Sequence, residues 1–287
     1  MKPILVIGAT GRTGRHLVDE LARLGAPVRA LTRRPTESDF PAGVEVVTGD
    51  LTAPDSLDAA FHRIGPAFFV WTEGLEAAAA VIDRLAAAAP SRIVHLSSPH
   101  RTPHPFFQQP NALRAVHAEI ERLLEGGGVP TTMLRPGMIS SNALYWWAPQ
   151  TRVGDVVRWP YAAAATAPID ERDIATVAAR ALLDDRHAGA DYVLTGPEAL
   201  THEQQVHAIG EAIGRPLRFE ELSPDEFRRE TAGTWPPQVV EMLLAAWGAA
   251  LGHPAFVTST VAEVTGMPAR TFANWAIDNA AAFNRSA

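Results

Sequence analysis

The stretch ILVIGATGRTG, residues 4–14, decides the fold. Its first four residues form a continuous apolar run, which is typical of a strand buried on both faces of a parallel sheet. Three glycines follow at intervals of three, and Leu17 and Leu21 then recur at helical spacing until Gly25. One interpretation of these glycines is a tight turn that binds no ligand. The order of strand, turn and helix instead predicts a backbone that a pyrophosphate can approach closely.

Further apolar runs alternate with helical patterns downstream of this turn. Strands are predicted at 28–31, 44–47, 67–71, 93–96, 132–134 and 192–194, with helices near 57–61, 76–88, 113–124 and 171–183. Thr201 and Gln204 predict a capping box at the start of a further helix. Such alternation is typical of right-handed crossovers and a parallel sheet. The prediction is an α/β Rossmann protein with a doubly wound parallel sheet and a smaller, mostly helical C-terminal substrate lobe. We assign residues 1–136 and 166–196 to the dinucleotide domain, and residues 137–165 and 197–287 to the substrate lobe.

Composition narrows the classes of function. A formal net charge of −7 argues against binding to nucleic acid or to an anionic membrane. The absence of cysteine excludes disulfides, thiolate metal sites and a cysteine nucleophile. No targeting segment precedes the first strand, so we expect a soluble, cytoplasmic protein, either a monomer or a homodimer. No metal site is predicted, and His100, His104, His202 and His207 are expected at the surface.

The end of the second strand bears on the choice of cofactor. An NAD-preferring site would usually place an acidic residue there, to bond the ribose 2′-hydroxyl. This chain has Thr32, Arg33 and Arg34 instead. Arg33, with Arg12 from the glycine turn, could clamp a 2′-phosphate, which favours NADP(H) over NAD(H). The alternative is a pair of solvated arginines on a surface loop.

Other strand ends extend the predicted cofactor site, because ligands of open α/β sheets bind at the carboxyl edge. Asp50 could accept a hydrogen bond from the adenine amino group or cap a helix near Pro54. Ser98 could contact the cofactor, or it could serve only to form a turn before Pro99. The predicted cofactor contacts are Gly8, Thr10, Gly11, Arg12, Thr13, Gly14, Arg33, Asp50, Leu51, Trp71, Thr72, Ser97, Ser98 and Pro136.

Aromatic residues crowd the segment that follows Pro136. They predict a wide pocket for a flat or aromatic small molecule, such as a quinone. The alternative is that the tryptophans fill the core between the lobes. The residues predicted to form this pocket are Met138, Asn142, Tyr145, Trp146 and Trp159.

Several motifs together resemble the NmrA-like members of the atypical short-chain dehydrogenases/reductases. They are GATGRTG, TRRP, GDL, HLSS, HAEIERLLEGGGVPTTMLRPG, PIDERDIATVAARAL and LTGPEALTHEQQVHAIGEAIGRPL, and the resemblance covers roughly residues 1–215. It implies an NADP(H)-binding Rossmann domain and, in many members, a reductase of quinones, enones, carbonyls or related molecules. In other members it implies a redox sensor that turns nothing over and acts through a partner protein.

The chain departs from this family at the position of its usual proton donor. Typical short-chain reductases carry Tyr-x-x-x-Lys on the helix before the LRP strand, and alignment places Leu113 at the tyrosine and His117 at the lysine. Leucine cannot donate a proton, so catalysis needs another donor or a strongly electrophilic hydride acceptor.

The resemblance places His117 beside the nicotinamide ribose, as a cofactor contact and a candidate acid, with Ser97, Ser98 or Tyr145 completing a relay. The catalytic residues predicted from it are thus His117, Ser98 and Tyr145. The alternative is a histidine that only orders its helix. No glycine-flanked serine of the nucleophile-elbow type occurs, so hydrolysis is not predicted.

Overall fold

A computed structural model describes residues 2–34, 40–109 and 111–285. Its centre is a parallel sheet of seven strands in the order β3-β2-β1-β4-β5-β6-β9. The order reverses between β1 and β4, which opens a crevice at the carboxyl edge. The strands are β1 Ile4–Ile7, β2 Val28–Thr32, β3 Glu45–Thr48, β4 Ala67–Val70, β5 Ile93–Leu96, β6 Thr131–Pro136 and β9 Asp191–Leu194.

Helices cover both faces of this sheet, which confirms the predicted doubly wound α/β fold. On one face, α1 buries Leu17, Val18 and Leu21 and packs against α7. On the other face, α3 and α4 bury Val81, Leu85 and Ile120 among other residues. The helices of the nucleotide-binding part are α1 Arg12–Arg23, α2 Asp58–Phe61, α3 Ala78–Ala87, α4 Ala112–Gly126 and α7 Glu171–Leu183. Short 3₁₀ helices precede α2 and α3, at Pro54–Leu57 and Leu75–Ala77.

A second, mostly helical region packs around an aromatic core. Thr201 and Gln204 form the predicted capping box at the start of α8. The helices of this region are α5 Asn142–Trp146, α6 Ala148–Thr151, α8 His202–Ala212, α9 Pro224–Thr231, α10 Pro237–Ala250, α12 Phe272–Asp278 and α13 Ala280–Phe283. Two small sheets join β7 Val156–Pro160 to β11 Arg218–Leu222 and β8 Ala165–Thr166 to β10 Leu200–Thr201.

The C-terminal segment returns to the nucleotide-binding part, which the predicted lobe boundaries did not include. Helix α11, Thr260–Thr265, packs on α7 and β9, and its Val261 lies in the core of that part. The backbone N–H of Arg270 donates to Asp173 Oδ2 at 2.7 Å, which fixes the chain after α11. The remainder of the predicted division into lobes stays a prediction.

No helix in the described ranges is both long enough and apolar enough to cross a membrane.

Candidate functional site

The turn after β1 depends on two of its glycines. Gly8 has φ of +78°, and a Cβ there would lie 2.3 Å from Val70 Cγ1 on β4. A Cβ on Gly14 would lie 2.0 Å from the carbonyl oxygen of Gly8. Both distances are far shorter than a van der Waals contact, so only glycine allows α1 to start this close to the strand.

The first turn of α1 is suited to an anion. Its N-cap is Gly11, which has no side chain to accept hydrogen bonds from the following amides. The first turn contains no acidic residue that could take its place. Because the amides at a helix start lack intrahelical acceptors and carry the positive end of the dipole, they are available to a phosphate.

A groove of about 450 Å³ opens beside this turn, between the carboxyl ends of β1, β2 and β4 and the start of α5. It brings together many residues that the sequence predicts as a site: Gly8, Thr10, Gly11, Arg12, Thr13, Gly14, Arg33, Asp50, Leu51, Thr72, Asn142 and Tyr145. It also contains residues that were not predicted: Glu73, Leu96, Ile139 and Ser141.

The groove carries charged groups at both walls. Arg12 lies over the exposed ring of Tyr145, with the guanidinium carbon 5.1 Å from the ring centroid. Arg33 Nη1 lies 3.9 Å from Glu73 Oε1, a carboxylate that follows β4 and that sequence reasoning missed. Asp50 accepts hydrogen bonds from the Thr52 backbone and hydroxyl, which hold the pKa of Asp50 below its usual value. It does not cap the helix at Pro54, whose N-cap is Ala53.

Two predicted cofactor contacts point away from the groove. Along β4, Phe68, Val70 and Thr72 line it, while Phe69 and Trp71 lie in the core on the opposite face. The same alternation turns Ser97, after β5, away from Leu96 and toward α4, where its hydroxyl donates to Glu121. Since successive side chains of an extended chain point to opposite faces, Trp71 and Ser97 cannot share the groove with their neighbours.

Three other predicted contacts also lie outside the groove lining. Pro136 is buried within β6, where it pairs with Leu194 of β9. His117 is half-buried on α4, one turn before the buried Glu121, and burial and the neighbouring His100 lower its pKa. Ser98 is half-buried, with its Oγ 3.2 Å from His100 Nδ1.

The predicted aromatic pocket needs correction. Trp146 and Trp159 are 8% and 3% exposed and pack with Trp147, Phe227 and Trp247 in the core of the helical region. They therefore fill a core rather than face a ligand, as the alternative proposed. Met138 lines a separate small cavity with Phe106 and Phe107.

Two histidines expected at the surface are buried. His202 is 1% exposed, and burial lowers its pKa to about 4. His100 is 7% exposed, with its Nε2 3.6 Å from Glu121 Oε2. Polarity gave no signal of either burial. That of His100 comes from Glu121 of α4 and Arg135 of β6, which lie beside the loop after β5. That of His202 comes from the tryptophans of the helical region, since its ring packs against Trp147 and Trp247.

These features fit a dinucleotide. The glycine turn and the open amides of α1 suit a pyrophosphate, and a Cβ at Gly14 would force the start of α1 away from the Gly8 carbonyl. Arg12 and Arg33 supply positive charge along the same groove. Asn142 and Tyr145 line the same groove.

Known proteins resemble the chain along its whole length. The sequence profile of the NmrA-like family matches residues 1–248. The chain is 39% identical to (4-alkanoyl-5-oxo-2,5-dihydrofuran-3-yl)methyl phosphate reductase of Streptomyces griseus subsp. griseus, over 98% of this chain and 99% of that protein. It is 31% identical to NAD(P)H azoreductase of Xenophilus azovorans, over 98% and 99% of the two chains.

A solved structure shares the fold. The crystal structure of NADPH-dependent quinone oxidoreductase QOR2 of Escherichia coli complexed with NADPH superposes with a TM-score of 0.80. The superposition covers 95% of this chain and 98% of that one at 24% sequence identity. At that identity the likeness establishes the fold and nothing finer.

Proposed function

This chain belongs to the NmrA-like family of NAD(P)H-binding oxidoreductases, and on that premise we propose that it is an NADPH-dependent reductase of conjugated small molecules. Quinones, enones and unsaturated lactones or other carbonyl compounds are the proposed substrates. The observation that carries the proposal is the groove itself, in which the glycine turn, the open start of α1 and two arginines lie together.

The preference for NADPH is proposed from the charges around β2. Arg33 follows this strand and lines the groove together with Arg12. Neither is buried against a carboxylate, since Arg33 is 68% exposed beside Glu73 and Arg12 stacks on Tyr145. Both guanidinium groups can therefore turn toward a 2′-phosphate, which NADH lacks.

When bound, NADPH supplies a hydride, which carries both electrons of the reduction. The residues of the chain then have three tasks. The amides of the glycine turn would hold the pyrophosphate, and Arg12 and Arg33 would hold the 2′-phosphate of the adenosine. Asn142 and Tyr145 border the end of the groove where a flat acceptor can lie against the cofactor.

The missing tyrosine limits the class of acceptor. Leu113, at the position of the family's proton donor, is 56% exposed and has no acidic group. A hydride acceptor must then spread the negative charge that it gains. The substrate named for the Streptomyces relative does so, because its ring double bond is conjugated with a lactone carbonyl and an alkanoyl carbonyl. We propose an acceptor of this doubly activated kind.

Steady oxidation of NADPH tests the proposal. The expected result is turnover with a quinone and with an acylated butenolide, and slower turnover when NADH replaces NADPH. Tight NADPH binding without turnover of any acceptor would instead favour the competing function, a redox sensor that acts through a partner protein.

A further inference from the structure

An arginine and a tyrosine meet at the groove, and the proposed function gives their contact no task. Arg12 begins α1 and Tyr145 lies on α5, and both residues line the groove. The guanidinium carbon of Arg12 lies over the ring of Tyr145, 5.1 Å from its centroid. At this distance a cation is attracted by the negative face of an aromatic ring. The contact joins the start of α1, in the nucleotide-binding part, to the helical region.

The charge of Arg12 is not stabilised by its own helix. A cation in the first turn of a helix meets the positive end of the helix dipole, which is unfavourable. The first turn of α1 has no acidic residue that would offset this charge. An arginine at this position therefore favours an anion in the groove over a purely structural role.

The backbone that carries Tyr145 is anchored on the other side of α5. Ala143 and Trp146 are 2% and 8% exposed in the aromatic core of the helical region, whereas Tyr145 is 62% exposed. Asn142 lies three residues before Tyr145, on the same face of the helix, and its Nδ2 donates to Met138 Sδ at 3.0 Å. The core therefore fixes α5 and leaves the tyrosine ring at the groove, within reach of Arg12.

Stacking leaves the hydrogen-bond donors of Arg12 available. A guanidinium group is planar, and its five N–H groups point outward in that plane. An aromatic ring contacts the face of the plane, whereas a carboxylate accepts from the N–H groups at its edge. Arg33 is an example of the second case, with its Nη1 3.9 Å from Glu73 Oε1. Tyr145 therefore holds Arg12 without competing with a phosphate, whereas Glu73 competes for Arg33.

We propose that Tyr145 positions Arg12 for the 2′-phosphate of NADPH and thereby contributes to the preference for NADPH over NADH. This inference rests on the proposed function and adds a residue that determines its cofactor specificity. A long arginine side chain loses conformational entropy when it is ordered on a ligand. The ring orders Arg12 before the cofactor arrives, so that binding carries less of this cost. Tyr145 acts through Arg12, which makes it a positioning residue.

Two substitutions of Tyr145 separate the face of the ring from its hydroxyl. Tyr145→Leu removes the aromatic face, and it should weaken NADPH binding about threefold to tenfold and leave NADH binding nearly unchanged. Tyr145→Phe keeps the face and should keep the NADPH affinity of the unmodified protein. Calorimetric titration of both cofactors measures the ratio of the two affinities, which a general loss of folding would not change. An unchanged ratio in Tyr145→Leu, or equal losses in both variants, would overturn the inference.

A double-mutant cycle shows whether the ring acts through Arg12. The probe is 2′,5′-ADP, which carries the 2′-phosphate but no nicotinamide. Tyr145→Leu should weaken its binding in the unmodified protein and have no further effect in an Arg12→Ala background. The control for charge is Arg15→Ala, an exposed arginine of the same helix outside the groove lining, which should bind the probe nearly as the unmodified protein does. A loss that persists without Arg12 would mean that the ring contacts the ligand itself, and would overturn the positioning role.

The same titrations distinguish this inference from the proposed function. If the unmodified protein binds NADPH and NADH equally well, the proposed preference for NADPH fails and the role of Tyr145 fails with it. If the unmodified protein prefers NADPH and Tyr145→Leu keeps that preference in full, only the role of Tyr145 is overturned.

Discussion

At the scale of single residues, the opposed charges of Arg33 and Glu73 should set the choice between NADPH and NADH. Arg33→Ala should weaken NADPH binding by about 10-fold to 100-fold, since a charged hydrogen bond contributes about 1.5–3 kcal/mol, and should leave NADH binding unchanged. Glu73→Gln should tighten NADPH binding by up to about fivefold, because an exposed pair is worth at most about 1 kcal/mol.

Calorimetric titration of both cofactors measures these effects. Glu241→Gln removes the same charge outside the groove, where Glu241 pairs with Arg228, and serves as the control for net charge. NADH binding as tightly as NADPH, or an Arg33→Ala variant with unchanged NADPH affinity, would show that the arginines are only solvated surface groups.

A second residue-scale prediction concerns stability in acid. Because burial lowers the pKa of His202 from 6.5 to about 4, the unfolded chain binds a proton in this range that the folded chain does not. The contribution of the neutral ring is complete above about pH 6.5 and is lost as the pH falls toward 4, up to about 3 kcal/mol.

His202→Phe should therefore make the free energy of unfolding fall less steeply between these pH values. Urea unfolding at a series of pH values measures the slope. His207→Gln, on the exposed side of the same helix, should keep the slope of the unmodified protein. An identical slope in His202→Phe would mean that this ring does not titrate with unfolding.

At the scale of elements, the junction of β1 and α1 should tolerate no added methyl group. Gly14→Ala places a Cβ against the Gly8 carbonyl, so the helix must shift from the strand. We expect a loss of about 1–3 kcal/mol in the free energy of unfolding and a marked loss of NADPH affinity. Gly126→Ala, at the end of α4, meets open space and should be neutral or slightly stabilising. Thermal unfolding and fluorescence titration distinguish the two, and a Gly14→Ala variant that binds NADPH normally would refute the close approach.

The elements also show what the sequence could predict. Strand β5 and helix α7 begin and end where the pattern places them, because apolar periodicity and a capping Asp170 are local signals. The orientation of Trp71 could also have been predicted. Side chains two residues apart in a strand face the same side, so Trp71 faces the side of Phe69 and not that of Val70. The burial of His100 and the ion pair of Glu121 with Arg135 could not have been predicted, because they depend on packing between segments distant in sequence.

At the scale of the whole molecule, two cores support one groove. The tryptophan-rich core of the helical region lies behind α5, which brings Asn142 and Tyr145 to the groove. The last part of the chain returns across α7 through α11 and the contact of Arg270 with Asp173. The groove itself is lined by residues 7–145, and the C-terminal part supports it only through packing. A short local motif could predict only the phosphate-binding half of the groove.

The fate of the hydride tests the central claim most directly. NADPH carrying deuterium at both C4 positions of the nicotinamide would be incubated with the protein and an acylated butenolide, and the product examined by mass spectrometry and NMR. We expect one deuterium per product molecule, at the carbon β to the carbonyl groups, with matching formation of NADP⁺. A protein that binds NADPH tightly yet leaves both deuterium atoms in the cofactor with this acceptor and with quinones would contradict the account.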